Sequence, residues 1–564
     1  MKKFFCLGLI VTTLSELLFA ANGGAGMCDE WSQSADEVTG FVYEDRNHNS
    51  RQDDSEPGVV GVSVSNGCEV VLTDAQGFYS IGLAPTQILF ISQPSGYEVP
   101  VDKNNLPQFY YLHYPTGSPK VVGGEPVEWL FPVIEPTGPL PDHIDFPLHR
   151  LRETETRFKA HGFADTQAKS DLDQDMLRED LVNTLLGNPY GARFTLTMGD
   201  VVNDNLTMFD RHKKMMGLIG IPNWNLPGNH DVNYESPNAH FATETYKKHY
   251  GPIYYSFNYG NVHVVALNNV EYAGAAARKG GSGRPYRGYI SDDQIRWLEQ
   301  DLTQVAKDKL IVIATHIPLV AEADDGNTRI TGPGTENFDK LLELLKPFEH
   351  IYGLAGHDTS NSWKVKVGHT HGWHGQPWIA HTLAEARGSG WTRGPRDLRG
   401  VSDAMMADGN PNGFYLFKFD DVSMVPEFIP FPFGSDAAQG MRIVLEPEIE
   451  PISDQSLHRG RLQSNTKVVV NLFDGGVRDR VHLSLDGGQV HPMKYVVRTD
   501  PFVEKTFARY ADTGEAYPAS EPSSHIWEYE LPAKISTGIH HLVVSSEDEF
   551  GQKQRGVFTF EIVE

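Results

Sequence analysis

Short stretches of alternating hydrophobic and polar positions dominate the chain from Asp36 to about Arg150. Five of them read TGFVYED, GVSVSNG, CEVVLTD, GFYSIGL and ILFISQ, and turn sequences such as DAQG at residues 74–77 separate them. Regularly spaced short strands of this kind are typical of a small sandwich of two sheets. We therefore predict an N-terminal β-sandwich domain over residues 36–150.

From about Phe158 the pattern changes, and short apolar runs alternate with longer stretches of helical periodicity. The predicted strands are Arg193–Met198, His263–Leu267, Leu310–Ala314 and His350–Ala355. The predicted helices are Asp171–Leu186, Met208–Leu218, Asp292–Val305 and Asn337–Leu345. This alternation indicates an α/β domain, which we place at residues 155–432.

After about Phe433 the helical signal fades. Strands are predicted at Lys467–Leu472, Val481–Leu485, Trp527–Leu531, His540–Val544 and Val557–Ile562. A β-rich domain over residues 433–564 therefore follows the α/β domain. The length of 564 residues agrees with several domains, because one hydrophobic core rarely serves more than about 250–300 residues.

The formal net charge of −26 limits the kinds of partner that the protein can bind. General nucleic-acid binding requires Lys and Arg to neutralise phosphates, so we expect no nucleic-acid partner. A local pocket lined by cations or metal ions remains compatible with a small phosphorylated ligand.

The N-terminus reads MKKFFCLGLIVTTLSELLFAANGG, with two lysines, a short apolar run and small residues after it. This pattern predicts a signal peptide over residues 1–21 and an exported protein, periplasmic, secreted or on the cell surface. The alternative is a membrane anchor, but the run is short and contains Glu16. We expect no transmembrane segment in the remaining chain. Of three cysteines, Cys28 and Cys68 lie beyond the signal peptide, where they either form a disulfide or remain separate thiols.

Polar segments follow the predicted strands of the α/β region. They are DTQ (165–167), GDVVND (199–204), GNHD (228–231), THIP (315–318), GHDT (356–359) and GHTH (368–371). Each is common alone, but their order and position at strand ends form a distinctive set. Carboxylate, amide and imidazole ligands, in the absence of a thiolate, suit Mn, Fe or Zn. Two such ions about 3.5–4 Å apart can bind and orient a phosphoryl group between them.

The ordered set resembles the calcineurin-like metallophosphoesterase superfamily, whose motifs are D-x-H, GD-x-x-(x)-D, GNH-D/E, a lone His and GH-x-H. The resemblance covers about Phe158 to Asp420, and the flanking β regions resemble accessory domains of an exported bacterial branch. It implies a central sandwich of two mixed sheets flanked by helices, and metal-dependent hydrolysis of a phosphoester.

The resemblance also implies roles for individual residues. One metal would be bound by Asp165 and Gln167, and Asp200 would bridge both metals. The second metal would be bound by Asn229, His316 and His357. The implied catalytic residues are His230, which would sit beside the leaving oxygen, and either Asp204 or Asp231, which would hold its imidazole.

The sequence departs from the family pattern at two positions. Gln167 stands where His is usual, and an amide oxygen is a weaker donor. Thr359 stands where the second His of GH-x-H is usual. In one interpretation His357 belongs to the true motif and GHTH is an incidental loop, and in another this loop returns His369 or His371 to the metals. A third possibility is a protein that holds one metal or is inactive.

A separate loop carries side-chain oxygens at the spacing of an EF-hand calcium loop. They belong to Asp45, Asn47, Asn49, Asp53 and Glu56. The flanking sequence predicts strands rather than helices, and Ser50 replaces the usual Gly. We predict a calcium site, and the alternative is an acidic solvated turn.

Three functions are compatible with these features. Phosphoester hydrolysis by a dinuclear metal centre is expected first. The alternatives are a catalytically weak or inactive surface binding protein, and a nucleotide or pyrophosphate hydrolase of the same superfamily. Candidate substrate contacts are Arg278, Lys279, Arg284 and Arg287, together with the arginines and Trp391 of residues 381–399.

Overall fold

The structure is a computed structural model that describes residues 26–279, 285–324, 329–331, 334–431, 439–453, 456–513 and 519–564. The strands fall into three consecutive groups along the chain. Within the described residues, every sheet takes all its strands from one group. The signal-peptide prediction concerns residues 1–21, which lie outside the described part.

The first group forms two four-stranded sheets. Its elements are α1 (Met27–Ser32), β1 (Asp36–Glu44), β2 (Ser63–Ser65), β3 (Val70–Leu72), β4 (Phe78–Leu83), β5 (Gln87–Ile91), β6 (Tyr97–Glu98), β7 (Tyr110–His113), β8 (Val121–Val122), β9 (Glu125–Pro126) and β10 (Phe146–Arg150). The sheet orders are β4-β1-β10-β6 and β3-β2-β5-β7, and β8 pairs with β9. A disulfide joins Cys28 of α1 to Cys68 in the turn after β2, with the Cα atoms 5.6 Å apart.

The second group forms a five-stranded and a six-stranded sheet, ordered β13-β12-β11-β24-β25 and β14-β15-β18-β21-β23-β22. The strands are β11 (Arg157–Phe163), β12 (Thr195–Met198), β13 (Asn223–Leu226), β14 (Tyr255–Tyr259), β15 (Val262–Ala266), β16 (Val270–Tyr272), β17 (Tyr286–Gly288), β18 (Leu310–Ala314), β19 (Glu322–Asp324), β20 (Arg329–Thr331), β21 (His350–Ala355), β22 (Trp363–Val367), β23 (Trp378–Thr382), β24 (Gly413–Asp420) and β25 (Ser423–Pro430). The helices are α2 (Asp171–Leu177), α3 (Asn183–Leu185), α4 (Phe209–Met216), α5 (Glu244–Tyr250), α6 (Ala275–Lys279), α7 (Asp292–Thr303) and α8 (Phe338–Leu345).

The two large sheets pack face to face. Trp224 of β13 stacks on Phe257 of β14 with ring centroids 4.1 Å apart. Both sheets are mixed, and their central strands are buried on both faces, as parallel strands usually are. Side chains from this sandwich and from the N-terminal sheets form one continuous hydrophobic core. This confirms the predicted fold class, a central α/β sandwich of two mixed sheets within a multidomain chain.

The helices begin close to their predicted positions but differ in detail. The predicted helix Asp171–Leu186 is interrupted by a π-helical turn at Arg178–Val182, between α2 and α3. Its start is fixed by Ser170, whose hydroxyl accepts a hydrogen bond from the Asp173 backbone. Among the described residues, no helix has both the length and the apolar character needed to span a bilayer.

The third group forms two more sheets, ordered β26-β29-β33-β32 and β27-β28-β35-β34-β30-β31. Its elements are β26 (Met441–Glu446), β27 (Glu450–Pro451), β28 (Arg459–Arg461), β29 (Lys467–Leu472), β30 (Arg480–Leu485), β31 (Val490–Pro492), β32 (Lys494–Arg498), α9 (Pro501–Tyr510), β33 (Ser523–Glu530), β34 (Gly538–Glu547) and β35 (Lys553–Ile562). They enclose a separate hydrophobic core that includes Trp527. Helix α9 was not expected from the sequence.

A buried carboxylate joins the third group to the six-stranded sheet. The Asp474 side chain lies 2.6 Å from Lys364 Nζ and 3.0 Å from His381 Nε2. It also accepts a hydrogen bond of 2.8 Å from the Tyr415 hydroxyl. A single acidic side chain of the C-terminal domain therefore contacts three groups of the central domain and neutralises the charge of Lys364.

Candidate metal centre

The candidate site lies where parallel strands of both large sheets end. Asp165 and Gln167 follow β11, Asp200 follows β12, and Asn229 follows β13. His316 follows β18 and His357 follows β21 of the other sheet. Because the carboxyl ends of parallel strands share an edge, side chains distant in sequence meet there.

His316 is at the centre of the site and is fully buried. Its Nδ1 lies 2.8 Å from the Met198 carbonyl oxygen, so Nδ1 carries a proton and Nε2 is left with a lone pair in the neutral ring. That Nε2 lies 3.0 Å from Asn229 Oδ1, 3.3 Å from an Asp200 oxygen and 3.0 Å from His357 Nδ1. Ligand atoms of Asp200, His316 and His357 all lie within 4.8 Å of one another.

Several lone pairs that face one another require a positive charge between them. Burial lowers the pKa of His316, but Asp200, Asp165 and the hydrogen bond to the Met198 carbonyl oxygen together outweigh burial and raise this pKa to about 9. A proton can therefore supply that charge, and a metal ion bound by the same atoms would supply more. The chemistry of the donor set fits a transition metal.

Asp165 and Gln167 contribute buried oxygens that lack partners. Asp165 Oδ2 accepts a hydrogen bond of 2.8 Å from the His357 backbone, and the Gln167 amide nitrogen donates to Asp200. Asp165 Oδ1 and Gln167 Oε1, however, have no hydrogen-bond partner among the residues that the structure describes. A buried unpaired acceptor costs about 1–3 kcal/mol, and a bound cation would remove that penalty.

The backbone around these residues is strained. Positive φ angles occur at Asp165 (48°), Gln167 (37°), Asp200 (47°), Asp204 (61°) and His357 (74°). Non-glycine residues rarely adopt this conformation, and such strain gathers at functional sites. At Gly228 a β-carbon would collide with the Asp200 carboxylate, which explains why the motif has glycine there.

His230 is held beside this cluster by Asp204. Its Nδ1 lies 2.7 Å from Asp204 Oδ1, and its Nε2 lies 4.0 Å from Asp200 Oδ2. Burial lowers the pKa of His230, but Asp200 and Asp204 outweigh burial and raise it. Asp231 has a different position, since its carboxylate accepts hydrogen bonds from the backbone of Val201, Val202 and Gly228. It shapes the loop, whereas Asp204 contacts the imidazole.

The structure does not bring His369 or His371 to this cluster. They form a short 3₁₀ turn after β22, and β22 is antiparallel to β23. The C-terminal end of β22 therefore lies at the edge of the sheet opposite His357. His369 instead lies 3.0 Å from His374.

Glu385 was not expected from the sequence, and Arg387 was included only among the arginines of residues 381–399; both residues follow β23. The Glu385 side chain is fully buried, and its Oε2 accepts a hydrogen bond of 3.2 Å from Arg387 Nε. The neighbouring Ala386 backbone donates to the Ala164 carbonyl oxygen over 2.8 Å, directly before Asp165. The sequence signal that could have found them is their position directly after β23, because β23 is the last parallel strand of its sheet.

The predicted substrate contacts are dispersed. The Arg278 guanidinium stacks on the Tyr234 ring, 3.7 Å from the ring centroid. This places Arg278 beside the site, since the Tyr234 hydroxyl donates a hydrogen bond to the Asn229 carbonyl oxygen. Arg287 forms ion pairs with Glu271 and Glu336. The Lys279 side chain and Arg284 lie outside the described residues.

In the predicted calcium loop, the side-chain oxygens accept hydrogen bonds from other residues of the same loop. The Asp45 carboxylate accepts from the backbone of Asn49 and Ser50, and Glu56 accepts from the backbone of Arg46 and Asp53. The Asp53 carboxylate accepts from the side-chain amides of Asn47 and Asn49. Calcium binding by this loop stays a prediction.

Fold and site together define a two-sheet α/β protein with a buried cluster of metal-ligand type at the strand ends. The family model described as "N terminal of Calcineurin-like phosphoesterase" matches residues 46–122, and "C terminal of Calcineurin-like phosphoesterase" matches residues 381–553. The chain therefore contains regions that match the N-terminal and C-terminal domains of calcineurin-like phosphoesterases.

Two uncharacterized proteins of Mycobacterium tuberculosis, from strains CDC 1551 / Oshkosh and ATCC 25618 / H37Rv, are each 29% identical over 160 residues. Each match covers 28% of this chain and 28% of the relative, so the chain spans little more than a quarter of the length of these proteins. A solved structure of purple acid phosphatase PPD1 from yellow lupin (Lupinus luteus) seeds has 9% identity and a TM-score of 0.34, covering 71% of this chain and 68% of that one.

Proposed function

We propose that the protein hydrolyses a phosphoester with the help of two metal ions. The main supporting observation is the convergence of Asp200, His316 and His357 within 4.8 Å, from strands of two different sheets. Asp165 and Gln167 would hold one ion through their unpaired oxygens, and Asp200 would be shared. The other ion would be held by Asn229, His316 and His357. Oxygen and imidazole donors favour Mn, Fe or Zn.

When bound, such ions polarise the phosphoryl group and lower the pKa of a bound water. The side chains of this chain have complementary tasks. His230 Nδ1 is engaged by Asp204, so Nε2 is the atom that can give a proton to the leaving oxygen. Asp204 fixes the orientation of the ring and favours its protonated form.

The test compares the metal-free protein with protein supplied with Mn²⁺, Fe²⁺ or Zn²⁺, using a chromogenic phosphomonoester and a phosphodiester. We expect activity only with metal. Asp200→Asn should lower both metal content and activity, because Asp200 lies against His316 and Gln167. Full activity of the metal-free protein, or of Asp200→Asn, would contradict the proposal.

A weak or inactive surface binding protein is the second candidate. It is favoured by Thr359, whose position would otherwise supply an imidazole, and by the distance of His369 and His371 from the cluster. Metal bound at full stoichiometry without hydrolysis of either substrate would support this candidate.

We also propose that the protein is exported. The disulfide between Cys28 and Cys68 supports export, because disulfides persist mainly in oxidising compartments. The signal-peptide pattern of the N-terminus supports the same localisation. Fractionation of the producing cells tests it, and a cytosolic protein with free thiols would contradict it.

A further inference from the structure

The segment after β23 passes over the Asp165–Gln167 turn. At one end the Ala386 backbone donates to the Ala164 carbonyl oxygen over 2.8 Å. At the other end the Trp391 indole donates to the Thr166 carbonyl oxygen, also over 2.8 Å. Residues 386–391 are therefore attached on both sides of Asp165, and Arg387 lies between the two attachments.

The segment is also supported from outside. The Ser389 backbone donates to the Ala404 carbonyl oxygen over 3.0 Å. Gly388 has a φ of 53°, and any β-carbon there would collide with the same carbonyl. A side chain carried by such a segment keeps its direction without a ligand, which is what preorganised binding requires.

Only part of the Arg387 side chain is hydrogen-bonded to residues that the structure describes. Its Nε donates to Glu385, while Nη1 and Nη2 make no hydrogen bond or ion pair with any residue that the structure describes. The side chain is 15% exposed, so it is accessible, whereas Glu385 is fully buried.

We propose that Arg387 binds a terminal phosphoryl oxygen of the substrate, that Glu385 positions it, and that the substrate is a phosphomonoester. This inference rests on the proposed function. A phosphomonoester has three terminal oxygens and a diester has two. With one oxygen for each metal ion, only the monoester offers a further anionic oxygen to a guanidinium, which binds phosphate through two parallel N–H groups.

The test uses the metal-loaded full chain with p-nitrophenyl phosphate and bis(p-nitrophenyl) phosphate. We expect Arg387→Ala to lower kcat/KM for the monoester about 100-fold, the usual effect of removing one donor to a developing charge. The diester should change little. The inhibition constant of inorganic phosphate should rise about 10- to 100-fold, as expected for a lost hydrogen bond between charged groups. Metal content should remain that of the unmodified protein.

Arg157→Ala is the matched control. Arg157 also binds a carboxylate through its Nε, 2.8 Å from Asp420, but it lies at the opposite end of β11. Its removal should leave both substrates and phosphate inhibition unchanged. Glu385→Gln keeps an oxygen for the Arg387 Nε–H and should lower monoester turnover less than Arg387→Ala does.

The outcomes separate this inference from the function on which it rests. A metal-loaded protein that hydrolyses neither substrate overturns the proposed function. A protein active on the diester alone leaves that function intact and overturns the inference. Equal losses on both substrates in Arg387→Ala, or a loss of metal, also overturn the inference, because they indicate a structural role.

Discussion

Replacing Asp474 with alanine should weaken the attachment of the C-terminal domain to the six-stranded sheet. The Asp474 side chain is 7% exposed and lies 2.6 Å from Lys364 Nζ, 3.0 Å from His381 Nε2 and 2.8 Å from the Tyr415 hydroxyl. The variant leaves the Lys364 ammonium, itself 10% exposed, without its counterion.

Removing one partner of a buried ion pair destabilises a protein by about 3–5 kcal/mol. We expect the lower end of that range, because Lys364 keeps a hydrogen bond to the Asp474 backbone carbonyl oxygen. Asp474→Asn preserves the shape and an acceptor for Tyr415, so it should cost less than the alanine variant.

The measurement is hydrogen exchange of β33 and β34 peptides in a urea series, because a multidomain chain has no single unfolding free energy. Asp486→Ala is the control. Asp486 also contacts histidine, 2.7 Å from His540, but its side chain is 42% exposed, so its loss should cost about 0–1 kcal/mol. If Asp474→Ala weakens protection no more than Asp486→Ala, the reasoning about this buried contact is wrong.

The remaining predictions concern the metal centre, acid stability and the calcium loop. His230→Ala should lower kcat about 10²–10⁴-fold while metal content stays constant, and parallel loss of metal would contradict its role as proton donor. Gly228→Ala should lower metal content and activity, because its β-carbon would displace the Asp200 carboxylate; a fully loaded variant would refute this. Burial raises the pKa of Asp474, but Lys364 and His381 outweigh it and hold the pKa well below the ordinary value. The contribution of Asp474 is therefore complete above the unfolded pKa of about 3.9 and is lost as pH falls below it, so Asp474→Asn should flatten the acid limb of a stability–pH curve. Calorimetric titration should show calcium binding that Asp45→Asn abolishes, and no heat with the unmodified protein would exclude the site.

Much of the site could be predicted because its residues are local to strand ends. A buried apolar run followed by a short polar motif identifies the strand and the side chains at its end, as at Leu310–Ala314 and His316. Parallel strands then bring such ends together without further information. The choice between Asp204 and Asp231 could not be made this way, because it depends on the direction of each side chain within one turn.

Other features depend on strand direction or on contacts between distant segments. His369 and His371 looked close to His357 in sequence, but the antiparallel course of β22 carries them to the opposite edge. The position of Glu385 and Arg387 beside the site depends on contacts of their segment with Ala164 and Thr166, more than two hundred residues earlier in the chain. Helix α9 did have a local signal, since Asp500 caps it and Pro501 occupies its first turn.

The interface at Asp474 also reaches the metal centre. The Tyr415 hydroxyl donates to Asp474 and accepts a hydrogen bond of 2.8 Å from the Ala384 backbone, directly before Glu385. The C-terminal domain thus supports the segment that carries Arg387, while the proposed metal ligands follow strands of the central domain. Asp474→Ala should therefore weaken phosphate inhibition and monoester turnover while metal content stays constant. If metal content falls in parallel with turnover, the C-terminal domain supports the whole centre rather than this one segment.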